Sequence, residues 1–181
     1  MNSHHETYYE SYPHRIMSLS LGQMILSNLI GILIFYLIID WLGLVYFFLC
    51  LIMLFVAMKF RCSYCYYYDK RCPSGLGKLC KFFFKQGASE EFQNPRNIAP
   101  TATLSVAVLL LPFGGGLVLL FEEFSWFVLM LLILYLLIAG LSGYFLRKDL
   151  LCKNCKQGQI GCPAYRGMIE GKTITNNSGK T

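Results

Sequence analysis

The chain has 181 residues, 55% hydrophobic and 14% charged, with sixteen Lys and Arg against ten Asp and Glu for a net charge of +6. A soluble domain of this length carries about a quarter charged residues, so the composition excludes an ordinary globular protein and points to a lipid-embedded one. The basicity comes without a nucleic-acid recognition module, so no nucleic-acid partner is expected.

Residues 1–18 form a short polar N-terminal segment carrying His4, His5, His14 and Arg15. A charge-free apolar run over 19–39 follows, and a hydrocarbon core of about 30 Å needs roughly 20 such residues per helix. No small-residue cleavage site ends this run. Asp40 and Trp41 lead straight into a second uncharged run over 41–58, so the first reads as a retained helix and not as a removed leader. A third run spans 101–121 and a fourth 124–146, joined by Glu122 and Glu123. The predicted fold is an all-α membrane protein of four transmembrane helices in two tandem hairpins, 19–58 and 101–146. Residues 59–100 and 147–170 follow the hairpins. The polar tail over 171–181 is too short of apolar residues to build a core and is expected to be disordered.

Charge sets the expected topology. Every Lys and Arg precedes the first span, lies between the second and third, or follows the fourth, while the hairpin turns carry only acids. Cationic side chains are retained on the cytoplasmic face during insertion. Both termini and the central loop are therefore expected to be cytoplasmic, in an inner or plasma membrane.

The same face carries the chemistry. Cys62-Ser-Tyr-Cys65 is followed, after six intervening residues, by Cys72-Pro73, and Cys152-Lys-Asn-Cys155 likewise by Cys162-Pro163. Each element of the second set lies 90 positions after its counterpart, as does Gly167 after Gly77, so the chain is an internal repeat. The hairpins share one polarity, which makes the repeat parallel about an axis along the membrane normal. Cysteines two apart can place both thiolates on one metal ion, and a third returned by a short loop adds a ligand. Cys80 is a candidate fourth ligand for the first motif. The second has none downstream; one of His4, His5 or His14 could complete it, or the six repeated cysteines could share one composite site.

Zinc and iron–sulfur clusters both suit such thiolates. A proline directly after a ligating cysteine also occurs in bacterial ferredoxin runs, whose cysteines are spaced more densely. The preferred expectation is an iron–sulfur cluster on Cys62, Cys65, Cys72, Cys80, Cys152, Cys155 and Cys162, in a subunit passing electrons between a cytoplasmic partner and a membrane carrier or complex. The alternative is a non-catalytic scaffold or assembly subunit with structural zinc knuckles, docked on other protein subunits. A weaker alternative is a membrane thiol oxidoreductase, disfavoured because the pairs follow helix C-termini whereas reactive thiols favour N-termini. Cys50, inside the second span, reads as a small buried hydrophobe.

Three other features carry expectations. Tyr64, Tyr66, Tyr67 and Tyr68 suit a membrane interface. Phe82, Phe83 and Phe84 between basic residues read as a short interfacial segment. Pro112-Phe-Gly114-Gly115-Gly116 predicts an interruption of the third span, tolerable in lipid only where neighbouring helices satisfy the freed backbone. The spans contain no ionisable side chain, which argues against a pump or channel. No nucleophile triad, paired carboxylates or nucleotide loop is present, so hydrolase and kinase activity are not expected.

Overall fold

A computed structural model of the chain describes residues 8–122, 124–162 and 165. His4, His5, Glu123, Pro163, Gly167 and the tail over 171–181 lie outside the described residues. Four helices are long and apolar enough to cross a membrane. They are α1 (His14–Ile38), α2 (Asp40–Phe60), α4 (Pro95–Glu122) and α5 (Trp126–Cys152). Two short helices stand beside them, α3 (Leu76–Phe83) and α6 (Lys156–Gly161). The described residues contain no strand; the one β-type contact is an isolated parallel bridge between Tyr9 and Cys155.

The helices overrun the charge-free stretches. α1 starts at His14, and α4 starts at Pro95, whose missing N–H costs nothing in a first turn. Polar residues at these ends prolong the helix toward water, so hydropathy marks the apolar core of each element and not its ends.

α1 packs on α2, α4 and α5, with α2 on α4 and α4 on α5. Ile30, Ile34, Leu131 and Tyr135 form the centre. Outward, large apolar side chains such as Leu29, Phe48, Leu110, Phe127 and Met130 are exposed, a surface suited to a lipid environment.

The expected interruption at Pro112 does not occur, because α4 runs through it. Proline has no N–H to give to the carbonyl four residues back, which is that of Val108. The Tyr46 hydroxyl of α2 donates to that carbonyl at 2.9 Å, and the Tyr135 hydroxyl of α5 donates to the Leu109 carbonyl at 2.8 Å. Neighbouring helices thus supply the satisfaction that lipid cannot. Gly31 permits it, since a Cβ there would stand 2.8 Å from the Tyr46 ring and 3.0 Å from Pro112.

Polar contacts recur between spans. In α5, Leu136–Ser142 and Leu146–Cys152 are wound as π-helix, and the Gln23 amide of α1 donates to the Ile138 carbonyl at 2.9 Å. The Cys50 thiol is only half-buried and donates to Asn28 Oδ1 at 3.4 Å. Cys50 is therefore an interhelical polar contact as well as an apolar filler. At the cysteine-bearing end, α3 lies against α2 with the Phe83 ring edge-on to Phe55 at 5.6 Å. Its Phe82 and Phe83 are exposed while Cys80 is completely buried.

Candidate metal centre

The two motifs start alike. Arg61 terminates α2, and Cys62–Tyr64 forms a single 3-10 turn in which the Cys65 N–H donates to the Cys62 carbonyl at 3.3 Å. At the end of α5 the Cys155 N–H donates to the Cys152 carbonyl at 3.1 Å. The same two-residue turn thus closes each Cys-x-x-Cys. In the first motif the chain then folds back through Gly75, whose φ of 72° lies in the left-handed region that glycine adopts without penalty. The return brings the Gly77 N–H to 3.1 Å from Cys72 Sγ.

The motifs are clasped reciprocally. The Tyr66 N–H donates to Gln157 Oε1 at 2.6 Å, and the Lys156 N–H donates to the Tyr67 hydroxyl at 3.1 Å. Tyr66 and Lys156 occupy equivalent places in the repeat, as do Tyr67 and Gln157. Each motif therefore uses the side chain two residues after its second cysteine to hold the amide one residue after the other motif's second cysteine.

The N-terminal segment straps both. The Tyr67 hydroxyl donates to the Tyr9 carbonyl at 2.7 Å, the Tyr9 N–H to the Asn154 carbonyl at 3.1 Å, and the Tyr12 hydroxyl to the Leu151 carbonyl at 2.7 Å. Tyr12 is wholly buried, its ring 5.2 Å from that of Tyr67. Glu10 accepts from Tyr66 at 2.8 Å and pairs with Lys156, and these contacts hold its carboxyl below the usual range.

Between the motifs lies a cavity of about 220 Å³, lined by Cys62, Cys65 and Cys72 of the first motif and Cys155 and Cys162 of the second. Of the candidate ligands, Cys80 and Cys152 are not in the lining. The Cys80 thiol is spent on the Met58 carbonyl at 3.4 Å, beside the Ser63 hydroxyl. Cys152 lies at the end of α5, close enough to Cys155 and Cys162 to interact with both electrostatically. His14, a candidate for the second motif, has its Nε2 2.7 Å from an Arg71 Nη1 on the first.

Among the described residues, no three His, Cys, Asp or Glu side chains stand close enough to grip one metal ion. Burial, reinforced by neighbouring thiols, pushes Cys65 up to about 12. Burial also raises Cys155 and Cys80 above the ordinary thiol value. Any metal entering must displace protons from these groups.

Two residues of the cavity lining carry a donor with no partner among the described residues. Arg61 Nη1 and Gln157 Nε2 are buried side-chain nitrogens without a hydrogen-bond partner, and both residues line the cavity. Gln157 is 2% exposed. The Arg61 guanidinium sits 4.0 Å above the Phe92 ring, so its position is fixed by stacking and not by an acid. Among the described residues, no carboxylate lines the cavity.

Sequence reasoning missed Arg61 and Gln157 as site residues and singled out Tyr67 only as one of four interfacial tyrosines beside the first motif. Tyr67 and Gln157 share a repeat position but not a chemistry, so residue identity alone conceals their equivalence; the 90-residue offset was the available signal. Arg61 was counted as one basic residue among sixteen. The chain matches no family model, no curated protein and no solved structure.

Proposed function

We propose that the chain is a membrane-embedded metal protein whose two cysteine motifs form one composite centre, and that the centre is an iron–sulfur cluster serving electron transfer. The observation that carries this reading is the convergence of five cysteines from both motifs on one cavity between reciprocally clasped loops. The unpartnered Arg61 and Gln157 nitrogens fit an anionic occupant.

Thiolate donors suit zinc and iron–sulfur alike; the tyrosine-rich surroundings of the motifs at the membrane interface support the electron-transfer reading. Cys62, Cys65, Cys72, Cys155 and Cys162 offer more than the four thiolates that a cluster needs, with Cys80 and Cys152 as outer candidates. A bound cluster would supply one-electron chemistry. The chain's own part is to exclude water, hold the thiols at one end of the bundle and place positive charge beside them.

The four spans form two tandem hairpins of like polarity, with both termini and the cysteine cap on the cytoplasmic face. In the sequence all sixteen Lys and Arg precede the first span, lie between the second and third, or follow the fourth, which supports that orientation. Electrons would then pass between a cytoplasmic partner and a carrier or complex in the bilayer.

The test is elemental and sulfide analysis, with a visible spectrum, on protein purified anaerobically in detergent. Iron and acid-labile sulfide with a broad band near roughly 400 nm is the expected result. Stoichiometric zinc without colour would replace this function with that of a zinc-stabilised scaffold. Seven titratable thiols without metal would refute both.

A further inference from the structure

We propose that Arg61 and Gln157 are ligand-binding residues of the cavity, donating N–H bonds to sulfur atoms of the anionic cluster and raising its reduction potential. The inference rests on the cluster reading above and adds what the protein does to the cluster beyond ligating it.

An isolated buried guanidinium nitrogen is costly without a partner, as is a buried amide N–H. Both costs persist here, although Gln157 Oε1 is used and the Arg61 ring face is covered. The Gln157 oxygen is thus satisfied and the Arg61 face covered, while one nitrogen of each lacks a partner among the described residues, on side chains that line the cavity with the cysteines. Neutral thiols are weak acceptors, and among the described residues no carboxylate is within the lining. Thiolates and inorganic sulfides are the acceptors that would complete both groups.

The two residues also sit on opposite motifs. Arg61 immediately precedes Cys62, and Gln157 is two residues beyond Cys155. A group held between the motifs would receive one donor from each. A fixed cation and hydrogen bonds to sulfur both favour the more negative, reduced cluster.

Gln157→Glu is the discriminating variant. It keeps the oxygen that accepts the Tyr66 N–H, and with it the clasp, while exchanging the donor for an acceptor. Arg61→Gln removes the charge, and Arg61→Lys restores it. Anaerobic redox titrations of the full-length wild type and variants in detergent, followed by visible absorption and electron paramagnetic resonance, read the outcome. Expected for Gln157→Glu and Arg61→Gln is at least a tenfold shift toward the oxidised form at fixed applied potential, which is about 59 mV for one electron. Arg61→Lys should recover most of it.

Variants that keep iron and sulfide at wild-type levels but titrate at the wild-type potential would overturn the assignment and leave the cluster standing. A wild type without iron and sulfide would overturn the cluster reading itself.

Discussion

Tyr67→Phe removes one oxygen from the point where three segments meet. That hydroxyl donates to the Tyr9 carbonyl at 2.7 Å and accepts the Lys156 N–H at 3.1 Å. Tyr67 is 2% exposed, so water cannot simply replace it. An orphaned buried polar group costs about 1–3 kcal/mol, which sets an upper bound near twice that for two groups. The Tyr9–Cys155 bridge runs the two orphaned backbones side by side, however, so they can relax toward each other. The expected loss is therefore about 1–2 kcal/mol for the docking of the second motif. The assay is amide hydrogen exchange on peptides covering 152–162, in detergent, on the metal-free protein. Each 1.4 kcal/mol is tenfold in the opening equilibrium, so exchange at Lys156 should quicken about 5- to 30-fold, with peptides inside α1 and α2 unchanged. Unaltered exchange at Lys156 would show that the hydroxyl does not hold the motifs together and would refute the clasp.

Three further outcomes follow from other contacts. Gly77→Ala places a Cβ against the Tyr67 carbonyl and 2.6 Å from that of Lys70; these are backbone atoms that cannot rotate away. It should cost about 1–3 kcal/mol and loosen the loop that returns to Cys72, seen as faster alkylation of that thiol; a wild-type rate would contradict it. Tyr46→Phe strands the Val108 carbonyl beside Pro112 and should destabilise the bundle by about 0.6–2 kcal/mol in thermal unfolding. An unchanged midpoint would mean that the carbonyl finds another donor. Metal uptake should be pH-dependent. Burial raises Cys65 and Cys155, so the folded metal-free state binds their protons more tightly than the unfolded chain. That contribution to metal-free stability is complete below the ordinary thiol value and declines as pH rises through the folded one. Metal affinity runs the other way and climbs with pH, because binding releases the protons. Reconstitution in weak buffer with a pH indicator should register at least two protons per centre; none released would contradict thiolate ligation.

Hydropathy and charge made the four spans legible because lipid forces long apolar runs and water takes the cations. The cysteine repeat was legible because its spacing is identical in both copies. The helix ends were not, since the helices extend through polar residues that flank the apolar runs, as at His14 and Pro95. Pro112 misled for a related reason. A proline reads as a break locally, but the decision lies with Tyr46 and Tyr135, which are distant in sequence and acquire their role only through packing. Of the alternatives for completing the motifs, the shared site is the one whose cysteines line a common cavity. Cys80 turned inward to Met58, and the cavity drew its thiols from across the repeat, an arrangement that spacing within one motif does not encode. Tyr67 and Gln157 are the clearest case. Their shared position was visible in the 90-residue offset, yet only the folded loops show that each holds the other motif's amide.

The central claim is one shared centre, and the most direct measurement compares metal per protein in Cys65→Ser and Cys155→Ser, purified alongside wild type. The two cysteines belong to different motifs and line the same cavity. A composite centre predicts that either substitution removes most of the bound metal and sulfide. Loss of half from each variant, with the other half retained, would mean two independent knuckles and would contradict the account.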